Sequence, residues 1–377
     1  MTWSCRGFKY ACLVTLFRTL SKMAVIGAGI AGAVCAQAMT HAGHRVYVFD
    51  KARGPGGRMA TRRVEWTDPS GRPRLTRFDH GVPGFAATSL AFQRFTEQAK
   101  ADGLLQLWQP SVAPAGFAFD SRAAHYLPVP DMPALCRDLL ADSRTRWGCA
   151  VEALRRDPQG WRVQAQGADL PEAFDAVVLA LPPAQAATLL APHRRDWAQR
   201  ASLALMQPCW TLMAVTDALA NEAAWDVARP ATGPLALIVR NDARAGRESV
   251  PGEAHWVLHA RPAWSRRHLE QSATWVQAQM QSALADWLGQ PLAWRLALVH
   301  RWRYANAHVP GTQPAAQCWW DADRAIGACG DFLGGGGGVE GAWLSAQALA
   351  QTLSSRLDTA LPSAAVSIDT AVLVTAP

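Results

Sequence analysis

The 377-residue sequence predicts an α/β protein with a parallel nucleotide-binding half and an α+β second half built on a mixed sheet. Three observations carry that prediction. A short apolar run, Ala24-Val25-Ile26, meets the turn Gly27-Ala28-Gly29-Ile30-Ala31-Gly32 and then a helical stretch. A second apolar run, Arg45-Val46-Tyr47-Val48-Phe49, closes on Asp50. Near the other end a strand-like run, Ala325-Ile326-Gly327-Ala328-Cys329, leads into Gly330-Asp331, a second glycine turn and a second helix. Length allows two domains or one large α/β unit. With 50% hydrophobic and 18% charged residues there is material for a sizeable core, which excludes a wholly disordered chain.

Residues 1–22 contain one apolar stretch, Tyr10 to Phe17, cut short by Arg18. It is too short to span a bilayer, and no small-residue cleavage site follows. Met23 is expected as the natural start, with residues 1–22 an extension; a weak signal peptide is the alternative. From Ile30 the pattern predicts a helix to Ala42, ended by Gly43 as a left-handed cap. Strand, G-x-G-x-x-G, helix and strand together form the βαβ context of a Rossmann dinucleotide site. Gly27 permits the tight turn, Gly29 lets backbone approach a pyrophosphate, and Gly32 lets helix and strand pack closely. Ile30 and Ala31 open the helix whose N-terminal amides favour phosphate. Asp50 stands where a carboxylate can accept from an adenosine ribose, with Lys51 beside it.

The choice between NAD and FAD rests on the next segment, Gly54-Pro55-Gly56-Gly57-Arg58-Met59. A nicotinamide-only domain has no need of a second glycine turn, whereas an extended FAD must be held along its full length. Gly56 and Gly57 permit close backbone approach, Arg58 is expected to meet a phosphate or the flavin, and Met59 ends the motif. Arg62 and Arg63 read as a solvated basic loop. At the far end Asp331 is expected on ribityl hydroxyls. Gly338, Val339 and Glu340 begin a helix, running to about Leu353, whose N-terminus would face the flavin. The glycine run at 334–338 would pass backbone against a planar ring; a flexible linker is the competing reading.

The middle of the chain reads as short strands at 147–150, 151–154 and 161–166, with a turn at 157–160, and a continuous apolar strand at 174–180 that Pro182-Pro183 stops. Strands at 207–216, 235–240, 255–261 and 296–304, with one helix at 270–288, form the second sheet. The expected division is a discontinuous FAD-binding domain at 23–80, 140–190 and 321–357. A substrate domain at 81–139 and 191–320 and a loose tail at 358–377 complete the chain. Of the 17 tryptophans, Trp210, Trp225, Trp256, Trp264 and Trp302 fall in the substrate domain. Each alone reads as core packing; together they suggest an aromatic pocket. Trp302 and Tyr304 are the expected cavity-lining, catalytic-face residues, sharing one face of an alternating strand, and His80 is the histidine expected near the flavin, with a satisfied structural histidine as the competing reading.

These segments resemble the renalase-like group of FAD-dependent oxidoreductases, within the flavin amine-oxidase superfamily and its p-hydroxybenzoate-hydroxylase-like fold. The resemblance rests on the glycine turn, acid and GGR at 27–58, and on Gly330-Asp331 with Val339-Glu340-Gly341-Ala342-Trp343. Phe78-Asp79-His80-Gly81 and Arg301-Trp302-Arg303-Tyr304-Ala305 extend it, so that it covers most of Met23 to Leu353. It implies dihydropyridine substrates (isomers of reduced NAD(P)) and dioxygen as acceptor, giving hydrogen peroxide; with no Cys or His in a recognisable attachment motif, the FAD is expected to be non-covalent. The family's D-x-G segment usually continues differently from Val82-Pro83-Gly84-Phe85; if that segment lines the flavin's substrate face, there is room for a substrate other than the family's. A small amine substrate, or flavin binding without turnover, are the alternatives.

No Ser-His-Asp arrangement, paired carboxylates or Walker loop supports hydrolytic or phosphoryl chemistry. The net charge of +7 comes from scattered basic residues, so no nucleic-acid stripe is expected. Eight cysteines without a C-x-x-C pair or zinc spacing read as reduced thiols of a cytoplasmic protein, with no structural metal and no membrane span.

Overall fold

A computed structural model describes residues 21–113, 125–219, 225–308, 317–334 and 337–359. The expected extension (all but its last two residues) and most of the expected tail therefore lie outside the described residues. The nucleotide-binding half is a six-stranded sheet in the order Trp319–Asp321, Ile326–Ala328, Ala176–Leu179, Lys22–Ile26, Arg45–Phe49, Arg144–Arg146. All neighbours run parallel except the first pair. Its central strands are buried on both faces, so they read as unbroken apolar runs rather than alternating ones.

Alternate residues of those strands feed two different cores. Met23, Val25, Val46 and Val48 pack with the helices Ile30–His41 and Gly338–Thr359. Ala24, Ile26, Tyr47 and Phe49 face the other way. There they meet a small antiparallel sheet (Val151–Asp157, Gly160–Ala165, Ala168–Phe174) and the helices Pro183–Leu190 and Arg195–Leu203. The apolar run at 174–180 is thus two strands. Asp175 breaks it, accepting from the Lys22 backbone N–H at 2.6 Å and tying the bend to the first strand.

The second half is a five-stranded antiparallel sheet ordered Val227–Ala228, Leu235–Arg240, Glu253–Ala260, Leu205–Asp217, Trp294–His308. Leu212, Ala214, Trp256 and Leu258 turn to the helix Ala273–Leu288, capped by Ser272 and closed by Gly289 at φ +69°. Met213, Val215, Leu237 and Val257 turn to the first half. The hairpin Thr61–Thr67/Pro73–Asp79 links the two halves; Arg62 and Arg63 are exposed, as expected, but on a strand rather than a loop. No helix among the described residues is long and apolar enough to cross a membrane.

Candidate active site

The first glycine turn divides its labour. Gly27 adopts φ +106°, and a Cβ there would lie 2.3 Å from the Ala180 carbonyl oxygen. A Cβ on Gly32 would lie 1.8 Å from the Gly27 oxygen. Both are packing glycines. Gly29 differs: an added Cβ would meet only the Gly57 Cα, at 4.0 Å, so its outer side is open. Gly29 also begins the helix without a side-chain cap, and the first turn carries no acid. Ile30 and Ala31 bury their side chains, leaving the amide end of the helix uncovered by them. Asp50 accepts from the Ala28 N–H and the Ala52 N–H, each at 2.7 Å, bracing the turn; each oxygen retains acceptor capacity for a ribose hydroxyl. Lys51 is exposed.

The second glycine turn folds onto the first. Gly56 bridges Gly29 in parallel and donates its N–H to the Ala28 oxygen at 2.9 Å. Gly57 takes φ +56°. Met59 is a core residue, 2% exposed, whose carbonyl a Cβ on Gly56 would strike, so its contribution is to the shape of the turn rather than to a ligand surface. Arg58 reaches across 273 positions of sequence to Asp331 in a bidentate pair of 2.6 and 2.7 Å, and donates to the Ala305 oxygen at 3.1 Å. Two segments distant in sequence therefore meet, with two expected cofactor residues holding each other.

Glu340 is engaged as well. Its carboxylate accepts from the Thr88 N–H and Oγ1 and from the Ser89 N–H, at 2.7–2.9 Å, and these contacts hold the carboxyl below its usual range against the upward push of burial. The long helix is thereby fastened to the N-terminus of Leu90–Ala101. Gly334 lies against this helix so tightly that a Cβ would sit 1.8 Å from the Gly341 oxygen. The glycine run is thus a close-packed approach at Gly334, with Gly337 and Gly338 at positive φ; 335–336 lie outside the described residues.

A cavity of about 770 Å³ opens between the two halves. One wall is Arg58 and the Gly337–Gly341 turn, with Val339 in it. Another is the 81–86 segment, and the roof is the second sheet through Leu237, Cys209, His259 and Trp302. The departure at Val82-Pro83-Gly84-Phe85 thus lies directly on the cavity. Its anchor is Asp79, 1% exposed, which binds Arg244 at 2.8 Å, Arg247 at 2.7 Å and the Thr61 hydroxyl at 2.5 Å. Burial raises the Asp79 pKa, but the two guanidiniums outweigh it and hold the carboxyl below its usual value. Arg244 in turn donates to the Pro83 oxygen.

His80 is buried behind Trp302, ring centroids 5.0 Å apart, and the Trp302 indole N–H donates to the His80 carbonyl at 3.0 Å. Burial and the nearby His300, Arg62 and His259 push the His80 pKa down to about 3. It stands behind the cavity wall rather than in it. Tyr304 does not line the cavity; Ala305 and Asn306 do. The alternation fails because Arg303 to Ala305 oppose the single residue Pro208, which has no N–H for the ladder, and the strand bulges.

The tryptophan pocket also dissolves on inspection. Trp210 and Trp256 pack beneath the Ala273–Leu288 helix, Trp225 sits against Trp256 and Trp287, and Trp264 stacks on Trp275. Only Trp302 of the five lines the cavity. Asp79, Cys209, His259, Arg244 and Arg247 were not singled out by sequence. Their signals are single residues on strands and loops whose partners across the site lie 48 or more positions away, except for the Phe-Asp-His-Gly segment that contains Asp79.

Residues 25–99 match a family model described as an NAD(P)-binding Rossmann-like domain. A curated relative, the tRNA 5-methylaminomethyl-2-thiouridine biosynthesis bifunctional protein MnmC of Magnetococcus marinus, is 29% identical over 208 residues. That match covers 43% of this chain, which spans only 29% of the relative's length. A protein assigned as a protoporphyrinogen oxidase from an Exiguobacterium species superposes with a TM-score of 0.66 at 12% identity, over 89% of this chain and 99% of the other. An oxidoreductase from Methanosarcina mazei gives 0.62 at 13%, over 88% and 100%. A redesigned variant of putrescine oxidase gives 0.60 at 14%, over 89% and 99%. The chain therefore carries a Rossmann-type dinucleotide-binding domain inside a mixed α/β fold that it shares with these oxidases.

Proposed function

We propose that the chain binds FAD non-covalently and oxidises a small molecule at a C–H bond next to nitrogen, with dihydronicotinamide isomers as the substrate class and dioxygen as acceptor, in the cytoplasm. The residues fit the cofactor. Gly29 and the uncapped, acid-free helix end leave room and amides for a pyrophosphate. Asp50 would receive a ribose, and Gly57 and Gly338 give the chain its close approach. When bound, FAD supplies a hydride acceptor at N5 and passes the electron pair to dioxygen, which takes up two protons and leaves as hydrogen peroxide.

The observation that carries the substrate reading is the uncharged chemistry of the cavity roof. Burial drives the His259 pKa down to about 4, so this imidazole is neutral near pH 7, and Cys209 remains a thiol because burial raises its pKa to about 11. The one carboxylate on the cavity among the described residues, Glu340, already accepts three hydrogen bonds. A substrate whose own nitrogen lone pair drives hydride release needs no base from this wall; the wall orients it and excludes water. Trp302 offers a flat indole for a planar ring, held by its bond to His80.

The names of two similar proteins, putrescine oxidase and the methylaminomethyl-uridine enzyme, favour a second reading, an amine substrate. Anaerobic mixing separates the two. Dihydronicotinamide isomers are expected to bleach the yellow absorbance rapidly and small amines to leave it. Bleaching by amines alone reverses the choice, and a colourless protein that takes up no flavin ends both readings.

A further inference from the structure

The cavity roof contains a partly polar row of side chains whose hydrogen bonds the hydride reading does not use. Leu237, His259, Thr211 and His300 are direct neighbours across four strands of the second sheet, with Cys209 and Trp302 paired two residues further along. The same face continues through the apolar Met213, Val215 and Val257 into the core, with the buried pair His255–Glu253 beyond Val257. His259 lines the cavity. Its Nδ1 faces the Thr211 Oγ1 at 3.4 Å and the Cys209 Sγ at 3.8 Å. Its Nε2 is screened from solvent and has no hydrogen-bond partner among the described residues. A screened polar atom without a partner is costly, and most such atoms in folded proteins are paired.

The tautomer follows from the neighbours. The Cys209 S–H is directed at the Trp210 and Ala260 carbonyls, at 3.4 and 3.6 Å. Thr211, wholly buried, has the His259 ring nitrogen as its best acceptor; the alternative, the Cys209 sulfur at 3.9 Å, is weak. The Thr211 O–H therefore donates to Nδ1, which leaves the proton on Nε2.

Building on the hydride reading, we propose that His259 is a substrate-anchoring residue whose Nε2–H donates to a neutral acceptor on the substrate, so that the site selects ring substrates bearing a carbonyl or carboxamide. A protonated amine has no lone pair to offer at this position, and a bare pyridine ring lacks the acceptor oxygen. Specificity by a buried donor is strong because an analogue without the acceptor leaves the donor unpaired.

The test uses the flavin-loaded protein with two probes, nicotinamide and pyridine, each titrated by its perturbation of the visible spectrum. His259→Leu is expected to weaken nicotinamide binding about tenfold, as loss of one hydrogen bond would, with pyridine binding unchanged. His259→Gln, whose amide restores a donor, is expected to recover most of the loss. Imidazole ¹⁵N spectra of the parent, assigned by the signal missing in His259→Leu, are expected to show the Nε2–H tautomer at pH 7 with or without flavin. Equal weakening of both probes, unchanged nicotinamide binding, or an Nδ1–H signal overturns the assignment. If His259→Leu does not fold, the signal missing in His259→Gln supplies the assignment and the parent tautomer decides. A parent protein that dihydronicotinamides do not reduce overturns the hydride reading itself. One that they reduce, but whose nicotinamide affinity ignores His259, overturns only the anchor.

Discussion

At the scale of single residues, the site is governed by which groups burial keeps uncharged. His80 is 6% exposed and lies beside His300 and Arg62, so protonating it costs twice over, in lost hydration and in repulsion. Its folded pKa of about 3 lies below the ordinary histidine value of 6.5. Unfolding therefore takes up a proton at every pH between those values. Stability is complete above pH 6.5 and falls as pH drops toward the folded pKa. By pH 5 this one group is expected to remove on the order of 2 kcal/mol. Urea midpoints followed from pH 7 to pH 5 should decline, and His80→Asn should flatten the decline; an equal slope in the variant would remove His80 from the account. The engaged carboxylates Asp79 and Glu340 are depressed as well, so their contribution is likewise lost as pH falls, in a lower window between the ordinary carboxylate values and their depressed ones. The Phe-Asp-His-Gly setting marked His80 out in the sequence, but not that the fold buries it behind the cavity wall. His259 was not, because a histidine on a strand carries no mark of what its two nitrogens meet.

At the scale of elements, the glycines explain why the strands and helices meet where they do. Gly32 allows the first helix to touch the turn that precedes it, and Gly334 allows the closing helix to lie on the Gly330–Leu333 turn. Gly32→Ala must displace backbone, not a flexible side chain, and is expected to cost about 2–3 kcal/mol with loss of bound flavin. Gly54→Ala, with nothing within 4 Å and no positive φ, is the control and should stay within about 0.5 kcal/mol of the parent. Urea denaturation and the ratio of visible to protein absorbance read both effects. The βαβ unit was visible in sequence because its signals are local: apolar runs, glycine spacing and an acid within 28 residues. The bulge that turns Tyr304 away was not, since it depends on Pro208 arriving opposite it from another strand.

At the scale of the whole molecule, the cavity exists because distant segments are locked together. Arg58–Asp331 joins the second glycine turn to the Gly330-Asp331 segment, and Asp79 with Arg244 and Arg247 joins the linking hairpin to the second sheet. In the second cluster the arginines are 0% and 5% exposed, so Asp79→Asn would leave two buried cations facing a neutral amide. A loss of about 3–5 kcal/mol in denaturation free energy is expected, as for removal of one partner from a buried pair. Because Arg244 also holds the Pro83 carbonyl, the 81–86 wall should loosen and substrate KM should rise more than kcat falls. A stable variant with unchanged KM would show that the wall stands without the cluster.

The sequence alone determined the dinucleotide turn, the strand carrying Asp50, the strand and helix around Asp331, and the existence of a second sheet, because each is written in contiguous residues whose periodicity and glycine spacing obey local sterics. Tertiary structure alone decided that Arg58 meets Asp331, that Glu340 caps a neighbouring helix, that four of five tryptophans are packing, and that His259 overlooks the cavity. Those outcomes turn on side chains from remote segments competing for the same buried space and hydrogen bonds, and such competition is settled only when the chain is folded.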